Sequence, residues 1–298
     1  MTCWRFLVGS IHQSSIGIVP LNWKYSAENM STYLEGIAGY GFEGIQIGLD
    51  QGRDPKFLSE MKRLNLRIAE HYIAIRCTPD GPIDGHKDEY LEQIEFAREV
   101  GVEMLVFAVD GSADREKIAG RVSKKDSLTT TGLQQLAQLI TELASKAASY
   151  GVASSFHPHA ATYIETVEES EALMALVSAD IMGVCLDVGH WIVGGGDPVA
   201  AVNSFGDRIA HVHVKDVSGE VLQKLIAGGY DTMEEAVVTD KLFVPAGTGL
   251  LNLDELFTAL NAIEYSGWLM SEQDSAFEPS EQASEISMKN IKAALLKI

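Results

Sequence analysis

Cysteine is scarce in this chain: Cys3, Cys77 and Cys185 are the three among 298 residues. They are odd in number, far apart and matched to no paired-ligand spacing. That pattern excludes a disulfide framework or a zinc knuckle and fits a reducing compartment. Basic residues are scarce too. Against 42 Asp and Glu stand 23 Lys and Arg, a formal net charge of −19, so a phosphate backbone or an anionic membrane is repelled unless a local basic patch intervenes. The densest basic stretch, 115–125, is broken by Glu116 and reads as a solvated loop or helix face. Long apolar runs are missing. No window approaches the roughly 20 residues of a membrane span, and residues 1–10 hold no apolar run leading to a small-residue cleavage site. These absences set the expectation of a soluble, cytoplasmic protein that binds neither nucleic acid nor membrane.

Nor is there a Pro/Gly/Ser-rich linker, a low-complexity tract or a shift of composition, so residues 1–298 read as one domain. Apolar residues make up 46% of the chain, enough for a large core. Eight β-rich runs stand out, at 6–10, 44–47, 66–72, 104–108, 152–157, 182–187, 209–214 and 268–272. Between them, apolar residues recur every three or four positions, as at Leu133, Leu136, Ile140, Leu143, Ala144 and Ala147, the mark of amphipathic helices. Several helical segments run into a glycine before the next strand, as at Gly41, Gly101 and Gly151. Eight alternating strands and helices in one chain of this length predict an α/β fold, a (β/α)8 TIM barrel. A doubly wound sheet uses the same units, but a G-x-G-x-x-G turn after a strand is absent. Gly194-Gly195-Gly196 and Gly247-Thr248-Gly249 lack that spacing and read as tight loops.

Active sites of such barrels form at the C-terminal ends of the strands, and unusual polar residues gather there. Strand five runs into His157-Pro158-His159, strand six into Asp187-Val188-Gly189-His190, strand seven into His211-Val212-His213-Val214-Lys215-Asp216 and strand eight into Glu272-Gln273-Asp274. Residues i and i+2 of an extended chain share a side, so His157 with His159, and His211 with His213, can face one site. Imidazole plus carboxylate suits Mn, Co, Fe or Zn. Taken singly, a strand histidine is ordinarily a hydrogen-bonded core residue and a strand-end Asp a helix cap. Four coincidences at consecutive strand ends point instead to a shared divalent-metal site. Cys185 and His211 sit one layer deeper and keep structural readings. Asp197 before Pro198 reads as a helix cap. Glu70, His71 and Tyr72 on strand three are open as to which side they face, and Trp191 either walls the pocket or packs a loop.

Through these residues the chain resembles the sugar isomerase/epimerase superfamily of xylose-isomerase-like barrels, and within it the inosose dehydratases. The resemblance rests on residues 41–46, 157–166, 186–190, 195–198, 211–216 and 267–274 in their order along the chain. It implies a divalent ion, Mn or Co foremost with Zn, Fe or Mg as further options, held by His157, Asp187, His213 and Glu272. His190 matches a position facing substrate oxygens, and Lys215 lies beside the pocket in similar proteins. The superfamily's epimerases carry a Glu on strand five where this chain has His157, as inosose dehydratases do. That disfavours two-carboxylate epimerisation and favours a reaction with one base and one acid. In one respect the chain departs: the first-strand loop of those dehydratases resembles Asn-Pro-Leu-Thr-Trp, whereas residues 9–15 read Gly-Ser-Ile-His-Gln-Ser-Ser. His12 and Gln13 there either contact a different polyol or satisfy the loop.

The implied activity is metal-dependent loss of water from a cyclic keto-polyol such as 2-keto-myo-inositol. Glu272, His159 and Lys215 are candidates for the base, and His190 for the acid. An isomerase or epimerase of a keto-sugar or keto-inositol, a 3-keto-glycoside eliminase, and a non-catalytic sugar-binding barrel are the alternatives. The segment 285–298 reads as the last barrel helix, with a homo-oligomer contact as a second use.

Overall fold

The computed structural model describes residues 9–275, 277 and 279–298. Eight parallel strands close a barrel: β1 (Ile16–Val19), β2 (Gly44–Gln46), β3 (Arg67–Ile75), β4 (Met104–Val109), β5 (Ala153–Phe156), β6 (Gly183–Asp187), β7 (Ile209–Val214) and β8 (Leu269–Glu272). β8 pairs with β1, setting Leu269 beside Ile16 and Glu272 beside Val19. Strands such as β4, Met-Leu-Val-Phe-Ala-Val, are buried along their whole length, as parallel strands covered on both faces require. The helices meet the strands through the apolar stripes that the sequence displays. Helix Thr130–Ser149 is capped by Thr129, which accepts from Gly132 N, and it buries Leu136, Ile140, Leu143, Ala144 and Ala147. Gly101 ends helix Lys87–Val100 at φ 77°, a left-handed backbone that glycine adopts without steric cost. Among the described residues no helix is long and apolar enough to cross a membrane.

The first strand corrects the sequence reading. Residues 6–8 of the expected strand lie outside the described residues. Gly9 and Ser10 lead into a 3-10 turn, Ile11–Gln13, and the first barrel strand is Ile16–Val19. Gly17 hid it by interrupting the apolar run. That glycine answers to packing, because a Cβ there would sit 2.4 Å from Met270 Sδ and 3.1 Å from the Trp268 ring. His12 and Gln13 therefore precede β1 and belong to the end of the barrel opposite the strand-end site. Gln13 Oε1 accepts from Ser10 N at 3.0 Å, which is loop satisfaction. The segment that does follow β1 is Pro20-Leu21-Asn22-Trp23, so a Pro-Leu-x-Trp run stands after the first strand.

Two short antiparallel strand pairs escape the sequence reading, Cys77–Thr78 with Gly81–Pro82 and Asp216–Val217 with Phe243–Val244. The second is pinned by Asp216, whose carboxylate accepts the N–H groups of Val217, Gly247, Gly249 and Leu251 at 2.7–2.9 Å. Gly247-Thr248-Gly249 is thus a tight loop wrapped on an anion. This second pair brings Phe243 against the His190 ring, centroids 5.1 Å apart, and beneath Lys215.

Candidate metal centre and active site

At the strand ends the barrel assembles a buried cluster. β5 stops at Phe156, and the next residue, His157, donates its N–H to Phe107 O on β4 at 2.7 Å. Asp187 closes β6 and caps the helix Val188–Val193 through Oδ1, which accepts from His190 N at 2.8 Å. His213 on β7 is the register partner of Asp187. Glu272 ends β8. One donor atom from each of His157, Asp187, His213 and Glu272 lies within 4.8 Å of the others. Asp187 Oδ2 is 3.4 Å from His157 Nε2 and 3.6 Å from His213 Nδ1, and His213 Nδ1 is 2.6 Å from Glu272 Oε2.

This set fits a divalent ion. Asp187 Oδ2, His213 Nδ1 and Glu272 Oε2 are buried, and none has an aligned hydrogen-bond partner. Buried polar atoms without partners are costly, and here three of them converge with a fourth donor. The buried carboxylates Asp187 and Glu272 and the partly buried Asp274 share one ammonium, Lys215, an imbalance that a divalent cation redresses. Two imidazole nitrogens and two carboxylate oxygens suit Mn, Co, Fe or Zn.

Lys215 is the hub beside this cluster. Fully buried, it pairs with Asp187 Oδ2 at 3.3 Å, Glu272 Oε1 at 2.9 Å and Asp274 Oδ2 at 2.7 Å, and it donates to His190 Nε2 at 2.8 Å. Burial opposes the charged ammonium, but the three carboxylates outweigh it and hold the Lys215 pKa well above its usual value. Burial likewise opposes ionisation of Asp187, yet Lys215 and the neighbouring imidazoles hold its pKa well below the usual carboxylate range. For Asp274 burial prevails over Lys215, and its pKa is raised to about 6.

His190 and His159 stack at a centroid separation of 3.6 Å. Burial first, then the surrounding positive charge, pushes both pKa values far below the ordinary imidazole range, so both rings are neutral near pH 7. Their tautomers are set by hydrogen bonds. An ammonium can only donate, so the bond from Lys215 places the His190 hydrogen on Nδ1, which is buried without a partner. His159 Nδ1 lies 2.6 Å from Ala160 O; a carbonyl only accepts, which leaves the lone pair on Nε2.

The remaining polar residues divide clearly. On β3, Glu70 points into the barrel and meets His211 and His213. Tyr72 reaches the His157 ring at 6.0 Å. His71 faces outward, bonded to Ile47 O and Gln93. Cys185 joins Met104, Val106 and Ala210 in a small apolar cluster. Trp191 packs on Phe205 and donates to Asp197 O, a loop-packing role. Asp197 caps the helix Pro198–Phe205. The sequence left open which way Glu70 faces, its partners lying 141 and 143 positions away, and placed Asp274 in the strand-eight polar run without a role; the structure sets it on Lys215.

The chain matches the xylose isomerase-like TIM barrel family over residues 34–294. It is 29% identical over 238 residues to the rhizopine catabolism protein MocC of Rhizobium meliloti, covering 78% of this chain and 71% of that protein. It is 28% identical over 292 residues to an inosose dehydratase of Lactiplantibacillus plantarum, covering 94% and 96%. Among solved structures it resembles the IOLI protein with a bound zinc atom, at a TM-score of 0.66 and 17% identity, over 95% of this chain and 97% of that one; at that identity the likeness concerns the fold. A match over most of the chain, together with the closed eight-stranded barrel, places this protein in the xylose isomerase-like TIM barrel family.

Proposed function

We propose that this chain is a divalent-metal-dependent dehydratase of a cyclic keto-polyol of the 2-keto-myo-inositol type. The observation that carries the reading is the four-donor cluster of His157, Asp187, His213 and Glu272, set beside two neutral imidazoles of opposite tautomer. The kinship to proteins named inosose dehydratase supports the substrate class. A bound ion supplies Lewis acidity, offsetting negative charge as it develops on substrate oxygen.

The chain's own residues handle the protons. His159, with its Nε2 lone pair free, takes the hydrogen α to the ketone as base. His190 gives its Nδ1 proton to the β-hydroxyl, which leaves as water while the C–H pair becomes the new C=C bond. Lys215 passes a proton to Nε2 as Nδ1 gives up its own, so His190 stays neutral and ends the step as its Nε2–H tautomer. Loss of water thus needs one base and one acid relay. Lys215 is a poor base because three carboxylates hold it protonated, and Glu272 has Oε1 committed to Lys215. Epimerisation by two opposed carboxylates is disfavoured by His157 at the strand-five position.

The test is proton NMR of 2-keto-myo-inositol in deuterated water with the Mn- or Co-loaded protein and a metal-stripped control. Metal-dependent formation of a product that has lost water is expected. Deuterium incorporation or an isomeric ketone without water loss would replace the dehydratase by an isomerase; an unchanged substrate would reject keto-inositol.

A further inference from the structure

We infer that Glu70 selects which nitrogen of His213 faces the metal, acting as a positioning residue from the far side of the barrel. The inference rests on the metal reading above. Glu70 lies on β3, separated from β7 by β4, β5 and β6 in the closed barrel, and it is fully buried. Its Oε2 contacts His211 Nε2 at 2.5 Å and His213 Nε2 at 2.9 Å. A carboxylate can only accept, so both of these nitrogens carry hydrogen. The other nitrogen of His213, Nδ1, is the atom turned toward Asp187 Oδ2 and Glu272 Oε2.

A carboxylate that accepts the distal N–H of a ligating imidazole fixes its tautomer and makes it a better donor, and losing such a partner weakens metal binding 10–100-fold. His157 has no equivalent, since its Nδ1 is buried without a partner. Of the two imidazoles in the set, the preorganised one is therefore His213. His211 shares the same carboxylate oxygen and helps to hold it in place. Glu70, His211 and His213 also lie close enough together to grip a second ion, which makes stoichiometry part of the test.

Two measurements decide it. In the Zn-loaded wild type carrying 15N-histidine, with the His213 signals assigned by their loss in His213→Gln, hydrogen on Nε2 and a metal-shifted Nδ1 are expected, with one ion per chain. In Glu70→Gln, whose neutral amide oxygen is a weaker acceptor than the carboxylate, Zn affinity by chelator competition is expected to fall 10–100-fold, with altered visible bands of the Co-loaded form. A proton on His213 Nδ1 in the loaded wild type, two ions per chain, or wild-type affinity and spectrum in Glu70→Gln would overturn the inference while leaving the metal centre standing. If Glu70→Gln does not fold, the wild-type spectrum decides alone. No Zn uptake by the wild type would overturn the metal reading and this inference with it.

Discussion

Lys215 Nζ stands 2.8 Å from His190 Nε2 while the same ammonium touches Glu272, Asp274 and Asp187, so one cation both balances the acidic cluster and sets the proton position on the imidazole. Replacing it with Met removes both effects. Breaking a buried charge network by deleting one partner costs about 3–5 kcal/mol, and loss of the acid relay is worth roughly 10²–10⁴ in turnover. Lys215→Met is expected to lower the urea midpoint of the metal-free protein and to abolish dehydration. A midpoint equal to wild type would show that the carboxylates are not held by this ammonium.

Asp187 divides its two oxygens between structure and chemistry. Oδ1 caps the helix Val188–Val193 and Oδ2 joins the donor cluster. Asp187→Asn keeps a good cap but loses the charge, whereas Asp187→Ala loses both, at about 1 kcal/mol for the cap. Asn is therefore expected to bind Mn or Co at least tenfold more weakly, with Ala less stable than Asn by the cap's further amount. Metal titration and denaturant unfolding of the two variants separate the roles, and equal stability of Asn and Ala would remove the cap.

Gly189 lies between these two residues in sequence, and its missing side chain makes room for Lys215. A Cβ there would come within 2.7–2.9 Å of Lys215 Cβ, Cγ and Cδ, which is the buried stem rather than a mobile tip. Gly189→Ala is expected to push the ammonium off His190 and to lower turnover at least tenfold, with metal affinity changed much less. Wild-type turnover in this variant would mean that the stem yields without moving Nζ.

The same strand ends explain what was legible beforehand. His157, Asp187, His213 and Glu272 are chemically unusual residues that recur at one place in a repeating unit, and a repeat can be read without coordinates. Ile16–Val19 was obscured because Gly17 answers to Met270 and Trp268, far away in sequence. Whether Glu70 or His71 faced inward was equally closed, since a one-residue change of phase reverses a strand's faces and the register shift between β2 and β3 at Ile45/Gln46 leaves no local mark. The Asp216 anchor escaped for a related reason: three of its four N–H partners sit 31–35 residues downstream.

Glu165 links the loop after β5 to the segment after β4 and makes that link sensitive to pH. Its Oε1 accepts from Gly120 N at 2.8 Å and its Oε2 from Ala161 N at 2.7 Å. Burial raises its pKa to about 7 in spite of these bonds and of nearby Arg115. The unfolded carboxyl titrates near the ordinary value of about 4.3, so between roughly pH 4.5 and 7 the folded state holds a proton that the unfolded state has released. Stability is therefore fullest below that window, falls as pH rises through it, and is level above it, for a total of up to about 4 kcal/mol. Glu165→Gln cannot ionise, although its amide keeps only one of the two accepting oxygens. Denaturant midpoints at pH 5, 6, 7 and 8 should show wild type alone losing stability through this site, so that its lead over the variant shrinks as pH rises from 5 to 8. Parallel curves for the two proteins would mean that Glu165 titrates at its ordinary value and that the two backbone N–H bonds outweigh its burial.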